Sequence, residues 1–195
     1  MNDKIREILE EIEDMKLKLA EEIDKHESHI SYEIKNGYVT FEKEMLAKQR
    51  ENMKSLLSWF REVPLSHLLT APLIYAMVIP AIIFDVLLYV YQQVAFRVFK
   101  FEFIKRSDYM LFDHHYLGYL NPIENLNCLY CSYFNGLMLY ASAISGSSEL
   151  YFCPIKHAKK VVFQHRYYDE FLPYGDEEDY QKKLKELRDN SQNNV

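Results

Sequence analysis

The chain has 195 residues, enough for one well-buried domain with an appendage and too few for two large ones. Hydrophobic residues make up 49% and charged residues 27%, which excludes a disordered chain, and 5 Gly with 6 Pro speaks against collagen-like, solenoid or many-stranded β architectures. A net charge of −6 removes any global case for nucleic-acid binding, and 3 Cys is too few and too odd a count for a secreted disulfide framework.

The charges fall in blocks. Residues 1–62 hold 11 Lys/Arg against 15 Asp/Glu, residues 63–96 hold the single formal charge of Asp85, and residues 97–195 hold 12 against 13. No Lys or Arg occurs between Ser107 and Ile155, the stretch that contains every Cys. The blocks divide the chain into a charged helical arm (1–62), an apolar membrane segment (63–99), a Cys/His domain (100–174) and an amphipathic tail (175–195). The fold class expected is mainly α.

In the arm, Ile5, Ile8, Ile12, Met15 and Leu19 recur at alternating steps of three and four, a short heptad seam. Ile23 and Ile30 extend the apolar stripe, with His26 and His29 as polar surface beside it. Asn36-Gly37 signals a turn, and Thr40 is placed to cap a second helix running to about Glu62. The expectation is a coiled-coil-like helical hairpin that packs against another copy of the chain or a protein partner.

The block from Leu68 to Phe96 exceeds the roughly 20 apolar residues that cross a bilayer core. Tyr75, Tyr89 and Tyr91 suit an interface, and Arg97 and Lys100 close the far end. Pro80 predicts a kink, and Asp85 places a carboxyl near the middle. Lys48, Arg50, Lys54 and Arg61 upstream balance Arg97, Lys100, Lys105 and Arg106 downstream. That balance suits either one long span or a re-entrant hairpin broken at Pro80. Cys128 to Ile144 is a second, weaker apolar run. The partner expected here is membrane lipid, with the arm in the cytoplasm. Asp85 is a candidate for a transport path, against the plainer role of an interhelical hydrogen bond.

The Cys region carries the candidate chemistry. Asn121-Pro122-Ile123-Glu124 reads as a helix start, with Asn121 as N-cap, and Gly146 as its stop. On that helix Asn121, Glu124, Cys128, Cys131 and Asn135 form one polar stripe that must be satisfied internally. Pro154 predicts that Cys153 caps a further helix with His157 one turn on, where free amides favour a thiolate. Cys128, Cys131, Cys153 and His157 together make a tetrahedral Cys3His set for structural zinc, or alternatively for an iron–sulfur cluster, against the plainer reading of buried thiols with a Cys128–Cys131 disulfide and the rarer one of a catalytic thiol pair. Asp113, His114, Glu124 and Asn135 are possible accessory groups. A di-iron centre drawing on Glu149 and His165 lacks the expected Glu-x-x-His pair. Acid–base carboxylate pairs, phosphate loops and nucleophile elbows are missing from the sequence, so a scaffold or redox protein is expected rather than an enzyme. In the tail, Tyr167, Tyr168, Phe171 and Tyr174 are expected to pack on the Cys domain. A short helix carrying Tyr180, Leu184 and Leu187 follows.

The run Phe112-Asp113-His114-His115-Tyr116-Leu117-Gly118-Tyr119-Leu120-Asn121, then Cys128, Cys131, Asn135-Gly136 and Cys153-Pro154-Ile155-Lys156-His157, resembles a family of uncharacterised bacterial membrane-associated proteins. The resemblance spans about Pro72 to His157. It implies a bacterial inner membrane and no particular reaction. The Cys-x3-His spacing is also similar to that of CDGSH-type iron–sulfur proteins, although their Cys-x-Cys and Asp-Gly elements are absent here.

Overall fold

The computed structural model describes residues 3–27, 32–35, 38–41 and 43–193. The chain divides into two compact units, Met1–Met53 with Tyr116–Tyr119, and Lys54–His115 with Leu120–Val195. Among the described residues it is mainly helical, with one two-stranded antiparallel sheet.

In the first unit, α1 spans Asp3–Glu27. Ile8, Ile12, Met15, Leu19 and Ile23 are all exposed on it, so these seam positions are not covered by the described residues. The expected helical hairpin is replaced by a β-hairpin, β1 (Tyr32–Lys35) and β2 (Tyr38–Phe41), paired from Tyr32↔Phe41 to Lys35↔Tyr38. Both segments are rich in Tyr, Ile, Val, Thr and Phe and flank Asn-Gly, the strongest short-range hairpin signal, and here that signal outweighs the helical pattern before it. His29, Ile30 and the Asn36-Gly37 pair itself lie outside the described residues. Thr40 stands opposite Glu33 in the sheet, inside β2 and not at a helix start. The helix expected from Thr40 to Glu62 is two, α2 (Lys43–Glu51) and α3 (Leu56–Glu62), separated at residues 52–55. The Gln49 Oε1 of α2 accepts from the Gly118 amide at 2.9 Å.

The second unit begins with α3. Its N-terminus is capped by Ser55, whose Oγ accepts from the Ser58 amide at 3.3 Å. Lys54 donates to Glu62 at 2.6 Å across the helix. Next comes α4, Leu65–Phe99, 35 residues and about 52 Å long at 1.5 Å per residue. It contains Pro72 and runs on past Pro80, so no re-entrant hairpin forms. Its irregularities are a turn at Met77, three residues ahead of Pro80, and a π-helical turn at Gln92–Phe96. Pro80 has no amide to donate to the Ala76 carbonyl, which accounts for the slack one turn earlier.

Lys100 then adopts a left-handed conformation (φ 56°), and the Phe101 amide donates back to the Phe96 carbonyl at 2.9 Å. This closes α4 and reverses the chain. Residues 100–115 return alongside α4: Phe101 packs on Phe96, the Ile104 carbonyl meets Gln92, Arg106 meets Asp85, and Phe112 shares a groove with Tyr75, Val78 and Ile82.

The next helix, α5 (Pro122–Phe152), runs parallel to α4. Tyr75 bonds Asn127, Tyr133 bonds Asp85, Tyr140 bonds Gln92, and Tyr91 bonds Ser148, so contacts advance together along both helices. Two apolar cores lie where α4, α5 and the return segment meet. One is built on Phe96, Phe101, Ile104, Tyr140 and Ile144, the other on Ala81, Met110 and Leu137. The tail folds back over the end of α5. Pro154 is fully buried, the Lys156 amide donates to the Leu172 carbonyl and the Leu172 amide to the Pro154 carbonyl, both at 2.8 Å, and α6 (Tyr180–Asn193) buries Leu184 and Leu187. Tyr168 and Phe171 are buried as expected, whereas Tyr174 is exposed.

Candidate functional site

Asn121 performs the role read from the sequence. Its Oδ1 accepts from the Ile123 and Glu124 amides, both at 3.0 Å, and Glu124 Oε2 accepts from the Asn121 amide at 3.0 Å. This reciprocal capping box uses Glu124 Oε2 to hold the helix start.

From there α5 continues unbroken through Gly146, the expected stop, to Phe152. Gly146 is buried mid-helix because His165 lies against it; a Cβ there would stand 2.5 Å from the imidazole Cγ. His165 Nε2 is 3.1 Å from Glu149 Oε2, and its ring is surrounded by Tyr167, Tyr168 and Phe171. This pair clamps the tail to α5.

The continuity of α5 decides the fate of the four expected ligands. Cys128 and Cys131 lie near its start and Cys153 at its end, about 33–38 Å away at 1.5 Å per residue. A zinc site needs all its ligands within about 2.3 Å of one ion, so these residues do not share one. Cys153 is also not the N-cap of a following helix. It terminates α5, its amide donates to the Glu149 carbonyl, and residues 154–157 are not helical. His157 stacks on Tyr168, and its amide donates to the Tyr168 hydroxyl at 2.8 Å. Among the described residues no three His, Cys, Asp or Glu groups gather where a metal ion would fit.

What the structure does bring together is the other half of the expectation. Cys128, Cys131 and Asn135 line one wall of a cleft of about 580 Å³, and Asp113 and His114 from the return segment line the opposite wall. His114 Nδ1 lies 3.2 Å from Ser132 Oγ and 3.6 Å from Asp113 Oδ1. The thiols are free, one turn apart, and Cys131 is exposed.

The second candidate, Asp85, is fully engaged. Arg106 grips it with two hydrogen bonds, Nε to Oδ1 at 3.3 Å and Nη2 to Oδ2 at 2.6 Å, and Tyr133 donates to Oδ2 at 3.2 Å. The carboxylate in turn raises the pKa of the Arg106 guanidinium by hydrogen bonding and attraction. Two helical turns further on, buried Gln92 donates to the Ile104 carbonyl at 3.0 Å and accepts from Tyr140. Asp85 and Gln92 are therefore two rungs of one ladder that joins α4, α5 and the return segment. The geometry fits the plainer of the two roles weighed for Asp85. The residues that sequence reasoning missed are Arg106, Gln92 and Tyr140. The available signal was the seven-residue spacing of Asp85 and Gln92 on one face of an otherwise apolar helix.

Beyond these rungs and the core positions Ala81, Leu88 and Phe96, α4 is mostly exposed. It is the one helix among the described residues that is long and apolar enough to cross a membrane, and 6% of its most apolar window is buried. Beside it lies an apolar groove of about 540 Å³ lined by Tyr75, Val78, Ile82 and Val86 of α4 and by Leu126, Leu129 and Tyr130 of α5. No family model matches the sequence, and no curated protein or solved structure shows significant similarity to it.

Proposed function

We infer that this protein is a membrane-bound helical scaffold, in which α4 and its partner helix α5 hold the chain on lipid and the arm is presented to a protein partner. The observation that carries the reading is the bareness of α4. Leu69, Leu73, Ile79, Ile83, Leu87 and Val90 are all exposed on a single helix. Exposed apolar area on this scale is unfavourable in water at about 25 cal/mol per Å² and marks an interaction surface. Two further features support it. Val162 and Phe163 are 86% and 90% exposed beside Lys159, Lys160 and Arg166, a combination suited to an anionic lipid surface. The exposed seam of α1 has the heptad pattern by which a helix pairs with a copy of itself.

Flotation with lipid vesicles tests the reading. The wild-type chain is expected to rise with the vesicles. Ile83→Asp/Leu87→Asp/Val90→Asp, which alters only exposed positions, is expected to lower the bound fraction by about ten-fold or more. A wild-type chain that stays at the bottom of the gradient contradicts it.

A further inference from the structure

We propose that α4 lies lengthwise in one leaflet of the bilayer and does not cross it, so that both ends of the helical unit face the same aqueous side. This deepens the membrane reading above and rests on it. The argument comes from what stands opposite the bare surface, and from how wide that surface is.

Around the central turns of α4 the packed positions are Val78, Ala81, Asp85, Leu88 and Gln92, a narrow stripe facing α5 and the return segment. Residues 82–84, 86, 87 and 89–91 are exposed. At 100° per residue they cover an arc of about 220°. The apolar stripe through which a helix meets a partner is nearer about 100° wide. A second copy would therefore leave much of this arc in water, whereas lipid covers an arc of any width.

The return segment carries exposed charge along the length of the stripe. Exposed Glu102 lies near the Phe96 end, Lys105, Arg106 and Asp108 lie at the level of Asp85, and Asp113 lies next to Phe112 in the Tyr75–Ile82 region. If α4 crossed the bilayer, these groups and their irregular backbone would sit at every depth of the hydrocarbon. Each charge costs about 2.5–3.5 kcal/mol at the centre, and irregular backbone is tolerated there only when protein covers it. α4 is also about 52 Å long against a hydrocarbon core of about 30 Å. Laid flat, the same structure puts the whole aliphatic arc in acyl chains and the whole charged edge in water. The tertiary unit then behaves as a single amphipathic helix does at an interface.

The two dispositions predict different topologies. A crossing arrangement takes the chain through the membrane three times, along α4, back through the return segment and along α5, which leaves residues 61 and 153 on opposite sides. The in-plane arrangement leaves them on one side. The test uses the full chain in bacterial membranes with a membrane-impermeant maleimide. One variant keeps only Cys153 (Cys128→Ser/Cys131→Ser), and another has all three cysteines replaced by Ser and carries Arg61→Cys. Both Arg61 and Cys153 are exposed. Both sites are expected to label in the same preparation, either inverted vesicles or spheroplasts, with label in the other lower by an order of magnitude. One site labelling in each preparation overturns the in-plane arrangement while leaving membrane association intact. Recovery of the chain in the soluble fraction overturns both.

Discussion

Phe96→Ala is expected to be among the most damaging single substitutions in the chain, with a loss of about 3–5 kcal/mol. Its side chain is 0% exposed and makes edge-on ring contacts with Phe101 at 5.1 Å, Phe103 at 6.0 Å and Tyr91 at 6.2 Å. It also sits where α4 ends and the chain reverses, since its carbonyl accepts from the Phe101 amide. Truncation leaves a cavity at the point where α4, the return segment and α5 all meet, and these three elements have no way to close it without moving the reversal at Lys100. The thermal midpoint in detergent should fall sharply. By contrast Val98→Ala, on an exposed position of the same helix end, should leave it nearly unchanged. Equal effects from the two would mean that the Phe96 cluster is not the core of this unit.

Gly136→Val is the second. Gly136 is buried on α5, and a Cβ there would lie 2.6 Å from the Tyr109 carbonyl oxygen and 2.8 Å from Met110 Sδ. The methionine could give way, but the backbone of the return segment could not move without disturbing Arg106 three residues earlier and the rungs at Asp85 and Gln92. Overpacking of this kind costs about 1–3 kcal/mol, and adding the two further methyl groups of valine places the expected loss at the upper end. The diagnostic readout is order dependence. Gly136→Ala should be intermediate, and limited proteolysis should show cleavage within residues 100–115 rising in the series Gly, Ala, Val. A valine variant as resistant as wild type would show that the return segment does not pack on α5 at this position.

Gly136 also illustrates what the sequence made legible and what it did not. Local signals were read correctly where their physics is local. Asn121-Pro122-Ile123-Glu124 contains every group of a capping box within four residues, and the helix starts with Asn121 as its N-cap, as read. The apolar block likewise needed only composition to be recognised as long and apolar enough to cross a membrane, although composition left a single helix and a break at Pro80 equally open. Misreadings came where one local cue serves two structures. Proline after Cys153 fits the residue that follows a helix end as well as the first residue of a helix, and here it follows the end. Gly146 looked like a stop because glycine usually is one; its actual use, admitting His165 from 19 residues further on, is a long-range fact. The same holds for Asp85. Its partner Arg106 comes from a segment whose path back along α4 has no periodicity to betray it.

The Cys3His expectation failed for a related reason. Cysteine spacing proposes ligands that share a neighbourhood, and a single uninterrupted helix between Cys131 and Cys153 denies it. What remains of that reading is the cleft of Cys128, Cys131, Asp113, His114 and Asn135, which the structure builds from α5 and the return segment alone.

The central claim is that the bare side of α4 meets lipid while the return segment meets water. The most direct test compares two positions at a similar level of the helical unit, using Trp59→Phe chains that carry either Leu87→Trp or Lys105→Trp. Leu87 and Lys105 are both exposed, and they neighbour the two members of the Asp85–Arg106 pair from opposite elements. With vesicles containing bromine-labelled acyl chains, fluorescence at position 87 should be strongly quenched by the lipid and protected from acrylamide. Fluorescence at position 105 should show the reverse. Free access of acrylamide to position 87 in the presence of vesicles would contradict the account.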